Sequence, residues 1–331
     1  MARIEKIAYY LPEKIETNEM LEKENPDWDL SKVEKRIGIK QRHIANSDET
    51  ALDLAVKASE KVLSNYDRER IDFVILCTQS PDYFLPTSAC ILQDRLRLRE
   101  NIGAYDFNLG CSGYIYGLAM AKGLIDGNLA ETVLLVTAET YSKFIHPKDR
   151  SNRSIFGDGA AATIIEKHPG EMIYAFEFGT RGSGYDKLIV KNGGLRNRIQ
   201  SDVKEWEYGS GNITSNSHLY MDGPEIYSFS QDIVPNLVEK ILDKSGTPKD
   251  VVDYYIYHQA NKFMVEQIRK KQGIDKDKFH FNIERTGNTV SSTIPIALKD
   301  ALISGKVSSG SKILLAGFGV GLSWAGCLVE L

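Results

Sequence analysis

Three side chains of this 331-residue chain could share one reaction: Cys111, His258 and Asn288. Cys111 lies in Gly110-Cys111-Ser112-Gly113, between a short apolar strand and a long segment, to Asp126, that is small and apolar on nearly every side. Such a segment reads as a buried helix. A sharp strand-to-helix turn would leave Cys111 at the helix N-terminus, where unpaired N–H groups and the macrodipole favour thiolate over thiol. That would make a nucleophile; the plain alternative is one more buried cysteine. His258 closes an apolar strand in Tyr257-His258-Gln259-Ala260-Asn261, and strand ends in α/β folds are where ligands bind. Taken alone, it could equally be structural or face solvent. Together, a Cys, a His and an Asn at one sheet edge point to acyl-thioester chemistry.

The elements that must position them are repeated. Ile71-Asp-Phe-Val-Ile-Leu parallels Val252-Asp-Tyr-Tyr-Ile-Tyr, each after an amphipathic helix. Gly110-Cys111-Ser112 parallels Gly287-Asn288-Thr289, each preceded by a Phe-Asn pair, Phe107-Asn108 and Phe281-Asn282. Similar helix ends follow, Leu124-Ile-Asp-Gly-Asn and Leu302-Ile-Ser-Gly-Lys, and then the apolar strands Val133-Leu-Leu-Val and Ile313-Leu-Leu-Ala. The simplest account is a duplicated α/β unit with a pseudo-two-fold axis, residues 1–170 and 171–331, which sets Cys111 and Asn288 at equivalent turns. Phe156-Gly157-Asp158-Gly159 lacks the third glycine of a dinucleotide fingerprint and runs into a β-like stretch, so it reads as a tight turn where backbones pack closely. Residues 184–218, polar and rich in Gly, Asn and Ser, read as a long surface insertion.

Composition narrows the function classes. Apolar content of 42%, charged content of 26% and a net charge of −4 suit a globular protein and argue against a general nucleic-acid surface. No stretch approaches the ~20 apolar residues of a membrane span. The first residues read as a strand of the fold rather than a leader. Cysteines at 77, 90, 111 and 327 have neither disulfide density nor metal spacing, so a reducing cytoplasm and no metal are expected.

Five motifs then carry a family likeness: Arg36-Ile-Gly-Ile-Lys-Gln-Arg-His-Ile-Ala, Gly110-Cys111-Ser112-Gly113, Ile155-Phe-Gly-Asp-Gly-Ala, His258-Gln-Ala-Asn and Gly287-Asn288-Thr-Val-Ser-Ser-Thr-Ile-Pro. Over essentially its whole length the sequence resembles the β-ketoacyl-acyl-carrier-protein synthase III group of the thiolase superfamily. Asn288 separates this initiating type from relatives that have His there. The resemblance implies a thiolase-like α/β fold of five αβαβα layers, a homodimer, and no cofactor beyond coenzyme A thioester as substrate. It implies that Cys111 attacks an acyl thioester while the N–H groups of Cys111 and Val320 hold the oxyanion. His258, as an Nε2 donor, and Asn288 would then stabilise the enolate formed as a malonyl thioester loses carbon dioxide. Acyl-coenzyme A and malonyl-acyl-carrier protein are the implied partners.

Other positions follow by likeness or depart from it. Arg36, Arg150 and Asn261 fall at coenzyme A-binding places. The family's adenine-stacking tryptophan is replaced by Lys32, with Trp28 one turn away as a substitute or as core. The glycine run shortens to Gly319-Val320-Gly321. Phe263 stands where an arginine docks the carrier protein, leaving Lys262, Arg269 and Lys270 for that role. In Tyr83-Phe84-Leu85-Pro86, the segment resembling the one that closes a partner's acyl pocket, Leu85 replaces a frequent phenylalanine, so Phe84 and Leu85 would gate a roomier pocket. The plain alternatives are a solvated cationic face and an ordinary interface loop. Two functions other than condensation fit part of the pattern: acyl transfer from Cys111 to an alcohol or amine, and a non-catalytic scaffold. Retention of His258 with Asn288 favours condensation over both.

Overall fold

The computed structural model describes residues 1–198 and 203–331. Two sheets carry the fold. The first takes strands β1 (Ala2–Tyr10), β2 (Phe73–Cys77), β3 (Gly103–Phe107), β4 (Thr132–Glu139) and β5 (Gly159–Lys167), in the order β1-β5-β4-β2-β3. The second takes β6 (Ile173–Thr180), β7 (Tyr254–Tyr257), β8 (Lys312–Gly319) and β9 (Ser323–Glu330), in the order β7-β8-β9-β6. Pairing is antiparallel from β1 through β5 to β4, then parallel to β2 and β3. It is antiparallel from β6 through β9 to β8, then parallel to β7. The fifth place of the second sheet is reduced to one parallel bridge, Tyr255 to Phe279. The repeat is therefore structural as well as sequential.

Between the sheets lie α3 (Gly113–Asp126) and α6 (Thr293–Ile303), both touching strands of the first sheet and of the second. Outside the first sheet pack α1 (Ala51–Leu63) and α2 (Ser88–Arg95); outside the second pack α4 (Gly223–Ser245) and α5 (Lys262–Lys271). This gives the five layers expected. Patterning explains the difference between layers. Helix α1 buries one stripe, Leu54, Ala55, Ala58 and Val62, and starts at a capping box of Thr50 with Asp53. Helices α3 and α6 are buried on several faces, as Ile115, Leu118 and Ala121, and Ile294, Ala297 and Leu298, show. A helix that must face two sheets has no polar side to offer water.

The polar segment 184–218 is more ordered than its composition suggests. A ribbon pairs Leu188–Ile189 with Tyr220–Met221, and a hairpin joins Glu205–Tyr208 to Asn212–Ser215. The hairpin docks through polar groups: Asn212 Oδ1 accepts from Ser151 N and Oγ, and Tyr208 Oη donates to Asp149. Asn212, Thr214 and Ser215 are buried, while most of the other described residues of the segment are exposed or half-buried. Positions 199–202 of the expected insertion lie outside the described residues.

Candidate active site

Cys111 sits where β3 has ended and α3 is about to begin, with Ser112 as the helix cap and 5% of its surface exposed. Strand β8 closes over it. A Cβ added at Gly319 would stand 2.7 Å from Cys111 Sγ, so only glycine fits there. The backbone N–H groups of Val320 and of Cys111 favour the thiolate form of the side chain. Ser112 Oγ meets Ser323 Oγ at 2.7 Å and ties the turn to β9.

The charge state differs from the expectation drawn from the helix N-terminus. Burial pushes the Cys111 thiol up to about 12 from an ordinary 9.0; the Val320 N–H pulls the other way, Glu139 adds to the rise and the Cys111 N–H opposes it. Desolvation of a thiolate among apolar neighbours outweighs two N–H groups and a helix end. At rest the Cys111 side chain is a thiol.

Asn288 is placed by backbone rather than by its own helix. Its N–H donates to Ile155 O at 2.9 Å, and its carbonyl accepts from Gly157 N at 3.1 Å. A Cβ at Gly157 would lie 2.4 Å from Thr286 O, and one at Gly287 2.9 Å from Ile155 O. This is the close packing that the Phe156-Gly157-Asp158-Gly159 pattern suggested, and it splices the two halves at the site. Asn288 Oδ1 accepts from Val290 N at 2.9 Å, which leaves the amide NH₂ as the free end. Val290 holds φ at +55°, a rare conformation for a β-branched residue.

His258 follows β7 and is 2% exposed. Its ring packs edge-to-face on Phe318 of β8, centroids 5.7 Å apart. Nδ1 lies 2.7 Å from Thr293 Oγ1. Burial pushes the imidazole down to about 3, with the Val290 backbone carbonyl favouring the protonated ring in opposition, so the ring is neutral at any ordinary pH.

Three features were not anticipated from sequence. Thr293 is the partner of His258. Glu139, wholly buried, accepts from Gln79 N, Ser80 Oγ and Ser291 Oγ behind the nucleophile, and burial lifts it to about 8. Val290 orders Asn288. The run Val290-Ser-Ser-Thr293 after Asn288 was the available signal, because hydroxyls at a buried turn need partners.

The remaining predicted positions differ in accessibility. Trp28 is half-buried, with the Arg153 guanidinium 6.0 Å from its ring centre and Arg153 itself paired to Glu16 and Glu24. Arg150 donates to Ser210 O at 3.3 Å; the nearby Asp29 carboxyl is held low by Ser31 first and by Arg150 last. Arg36 is exposed and lies over the Phe263 ring at 4.9 Å, and Phe263 stacks on Tyr227. Asn261 caps α5 through Met264 N. Lys262 and Lys270 are exposed, whereas Arg269 is gripped by Glu266 through two hydrogen bonds. Phe84 and Leu85 are 81% and 83% exposed.

Two duplicated halves around paired central helices, with a buried Cys and a His/Asn pair at their junction, define the thiolase-like class of fold. Known proteins place the chain within it. Residues 105–182 match the family described as 3-oxoacyl-[acyl-carrier-protein (ACP)] synthase III, and residues 242–331 match its C-terminal part. The chain is 34% identical to beta-ketoacyl-[acyl-carrier-protein] synthase III 2 of Halalkalibacterium halodurans, over 99% of this chain and 96% of that one. It is 35% identical to the beta-ketoacyl-[acyl-carrier-protein] synthase III of Caldanaerobacter subterraneus, over 97% and 95%. A crystal structure of a 3-oxoacyl-(acyl-carrier-protein) synthase III superposes with a TM-score of 0.97 at 48% identity, covering 100% of this chain and 99% of that one. That of a 3-oxoacyl-(acyl-carrier protein) synthase from Burkholderia xenovorans gives 0.91 at 34%, covering 100% and 94%. The chain belongs to the 3-oxoacyl-acyl-carrier-protein synthase III family.

Proposed function

We propose that this protein catalyses a decarboxylative Claisen condensation between an acyl thioester primer and malonyl-acyl-carrier protein. The reading is carried by a buried cysteine packed against Gly319, a neutral histidine packed on the neighbouring Phe318, and an asparagine whose NH₂ is its free end. Cys111 Sγ forms a bond to the primer carbonyl carbon, and the N–H groups of Cys111 and Val320 hold the oxyanion; losing one such donor costs ~10²–10³ in rate. The primer's thiol leaves, carrying the proton that Cys111 gave up. A malonyl thioester then loses carbon dioxide, and its enolate oxygen is held by His258 and Asn288. The enolate carbon attacks the acyl carbonyl, the C–S bond to Cys111 breaks, and the sulfur recovers a proton from solvent. A neutral histidine suits this work, since a clamp on an enolate must donate a hydrogen bond without itself ionising.

Residues 1–170 supply the nucleophile and 171–331 the clamp. Trp28, Arg36, Arg150 and Asn261 bind coenzyme A of the primer, and Lys262 and Lys270, with Arg269 held back by Glu266, receive the acidic carrier protein. Phe84 and Leu85, too exposed for a free-standing loop, enter the partner's acyl pocket in a cytoplasmic homodimer, where Leu85 leaves room for primers longer or more branched than acetyl.

Intact-protein mass spectrometry tests the reading. Wild type and Cys111→Ala are offered a panel of acyl-coenzyme A primers, and malonyl-acyl-carrier protein follows. Acylation confined to wild type, then release of a β-ketoacyl product with carbon dioxide, is expected. An acyl adduct untouched by the malonyl partner would overturn it in favour of transfer to another acceptor.

A further inference from the structure

The exposed loop that carries Phe84 and Leu85 is fastened at both roots to the stretch of chain that delivers the nucleophile. Strand β3 ends through Asp106 and Phe107, and the chain passes Asn108 and Leu109 to reach Cys111 two residues later. At the first root, Thr78 N donates to Phe107 O at 3.2 Å and Gln79 Nε2 donates to Asn108 Oδ1 at 2.8 Å. At the second, the Asp106 carboxylate forks: Oδ2 accepts from Ser88 N and Oδ1 from Ala89 N, each at 2.6 Å. Asp106 N in turn donates to Thr87 Oγ1 at 3.0 Å.

Ser88 and Ala89 open α2, and the first N–H groups of a helix have no partner within it. A threonine at the cap position ordinarily supplies its own oxygen to them. Thr87 does not; its oxygen is taken by Asp106 N, and the cap comes from the neighbouring strand. A local cap has been exchanged for a tie to the strand that leads to the nucleophile. Between the roots, Tyr83, Phe84 and Leu85 are 60%, 81% and 83% exposed, so within the protomer the projection is held from its roots and not along its length.

We propose that Asp106 is a positioning residue for primer selectivity, fixing the projection at 83–85 as a rigid wall of the acyl pocket rather than a movable lid. It touches no substrate; it acts through the root at 87–89. The inference rests on the gating role given above to Phe84 and Leu85.

In Asp106→Ala the wall gives way, and long acyl chains gain on acetyl. Losing a charge-assisted hydrogen bond is worth about tenfold, so the ratio of octanoyl- to acetyl-coenzyme A loading of Cys111 should rise about tenfold while acetyl loading stays within about threefold of wild type. Thr87→Val conserves shape and removes only the acceptor for Asp106 N; the ratio should rise about threefold, which keeps the test in force if Asp106→Ala does not fold. A ratio of two primers on one enzyme sample does not depend on the folded fraction, so a cap that served stability alone would leave it unmoved. Leu85→Ala reports on the gate itself. A shifted ratio in Leu85→Ala with none in the two root variants overturns the inference, as does a uniform loss across primers. An unmoved ratio in all three brings down the gating reading and the selectivity role with it. Hydrogen exchange read by mass spectrometry decides the tie separately: residues 80–89 should exchange faster in the root variants than in wild type, and equal exchange overturns it whatever the primers show.

Discussion

Gly319→Ala puts the smallest possible side chain against the nucleophile, and its consequence follows from distances. The new Cβ would lie 2.7 Å from Cys111 Sγ and 2.9 Å from Cys111 Cβ. Ordinary carbon contacts sit near ~3.5–4.0 Å, so something must move by about 1 Å. Cys111 cannot simply retreat, because its own carbonyl already presses on Gly317, where an added Cβ would be 2.6 Å away. The strain therefore divides between the β8 terminus, which carries the Val320 N–H, and the Cys111 turn. Overpacking of this kind costs about 1–3 kcal/mol of stability, and a displacement of ~1 Å at a reacting atom costs about 10²-fold in rate. Acyl-coenzyme A loading of Cys111 by stopped-flow or quench mass spectrometry, beside thermal unfolding, reads both. The reasoning is refuted if Gly319→Ala loads Cys111 within about threefold of wild type, since the sulfur and the oxyanion donor would then not share the tight spacing described.

Three further outcomes are expected. With the thiol held at about 12 by burial, iodoacetamide alkylation of Cys111 should climb about tenfold per pH unit from pH 7 to 10 without levelling off, and a plateau with a midpoint below 8 would mean the helix end prevails. Glu139 keeps its proton in the folded protein up to about pH 8 against an ordinary 4.5, so its contribution to stability is complete below 4.5 and is lost as pH rises toward 8. Denaturant titrations should therefore show Glu139→Gln gaining on wild type by up to about 1.4 kcal/mol per pH unit across that window and no further above it; parallel curves would exclude a protonated Glu139. Replacing Phe84 and Leu85 together with Ser should weaken self-association and widen primer tolerance while leaving the tertiary fold intact, as read by sedimentation and a primer panel; unchanged mass and selectivity would remove the loop from the interface.

Much of the arrangement was legible because duplication converts a local pattern into a geometric statement. Once Gly110-Cys111-Ser112 and Gly287-Asn288-Thr289 are read as equivalent turns, symmetry sets Cys111 and Asn288 at matching places in the two halves, and His258 stands at its strand end. The Phe156-Gly157-Asp158-Gly159 turn was legible as a place of close backbone approach, although its partner, the backbone of Asn288, lies far along the chain. What stayed hidden depends on three-dimensional burial. A helix N-terminus can be found from residue types, yet the balance between its field and desolvation at Cys111 depends on what closes over it, and β8 is two hundred residues away. Thr293 and Glu139 were silent for a similar reason, since a threonine or a glutamate at a strand or helix end has many uses until its neighbours are known. The hairpin in 205–215 was masked by its polar composition, because it docks by hydrogen bonds to Asp149 and Ser151 rather than by apolar burial.

The splice of Ile155 and Gly157 to the backbone of Asn288 also sets an order of events during synthesis. A chain emerging from the ribosome acquires Cys111 early, and His258, Asn288 and then Val320 much later. Until β8 pairs, the cysteine has neither its lid nor its second N–H. A half-folded molecule thus carries the sulfur without β8 over it.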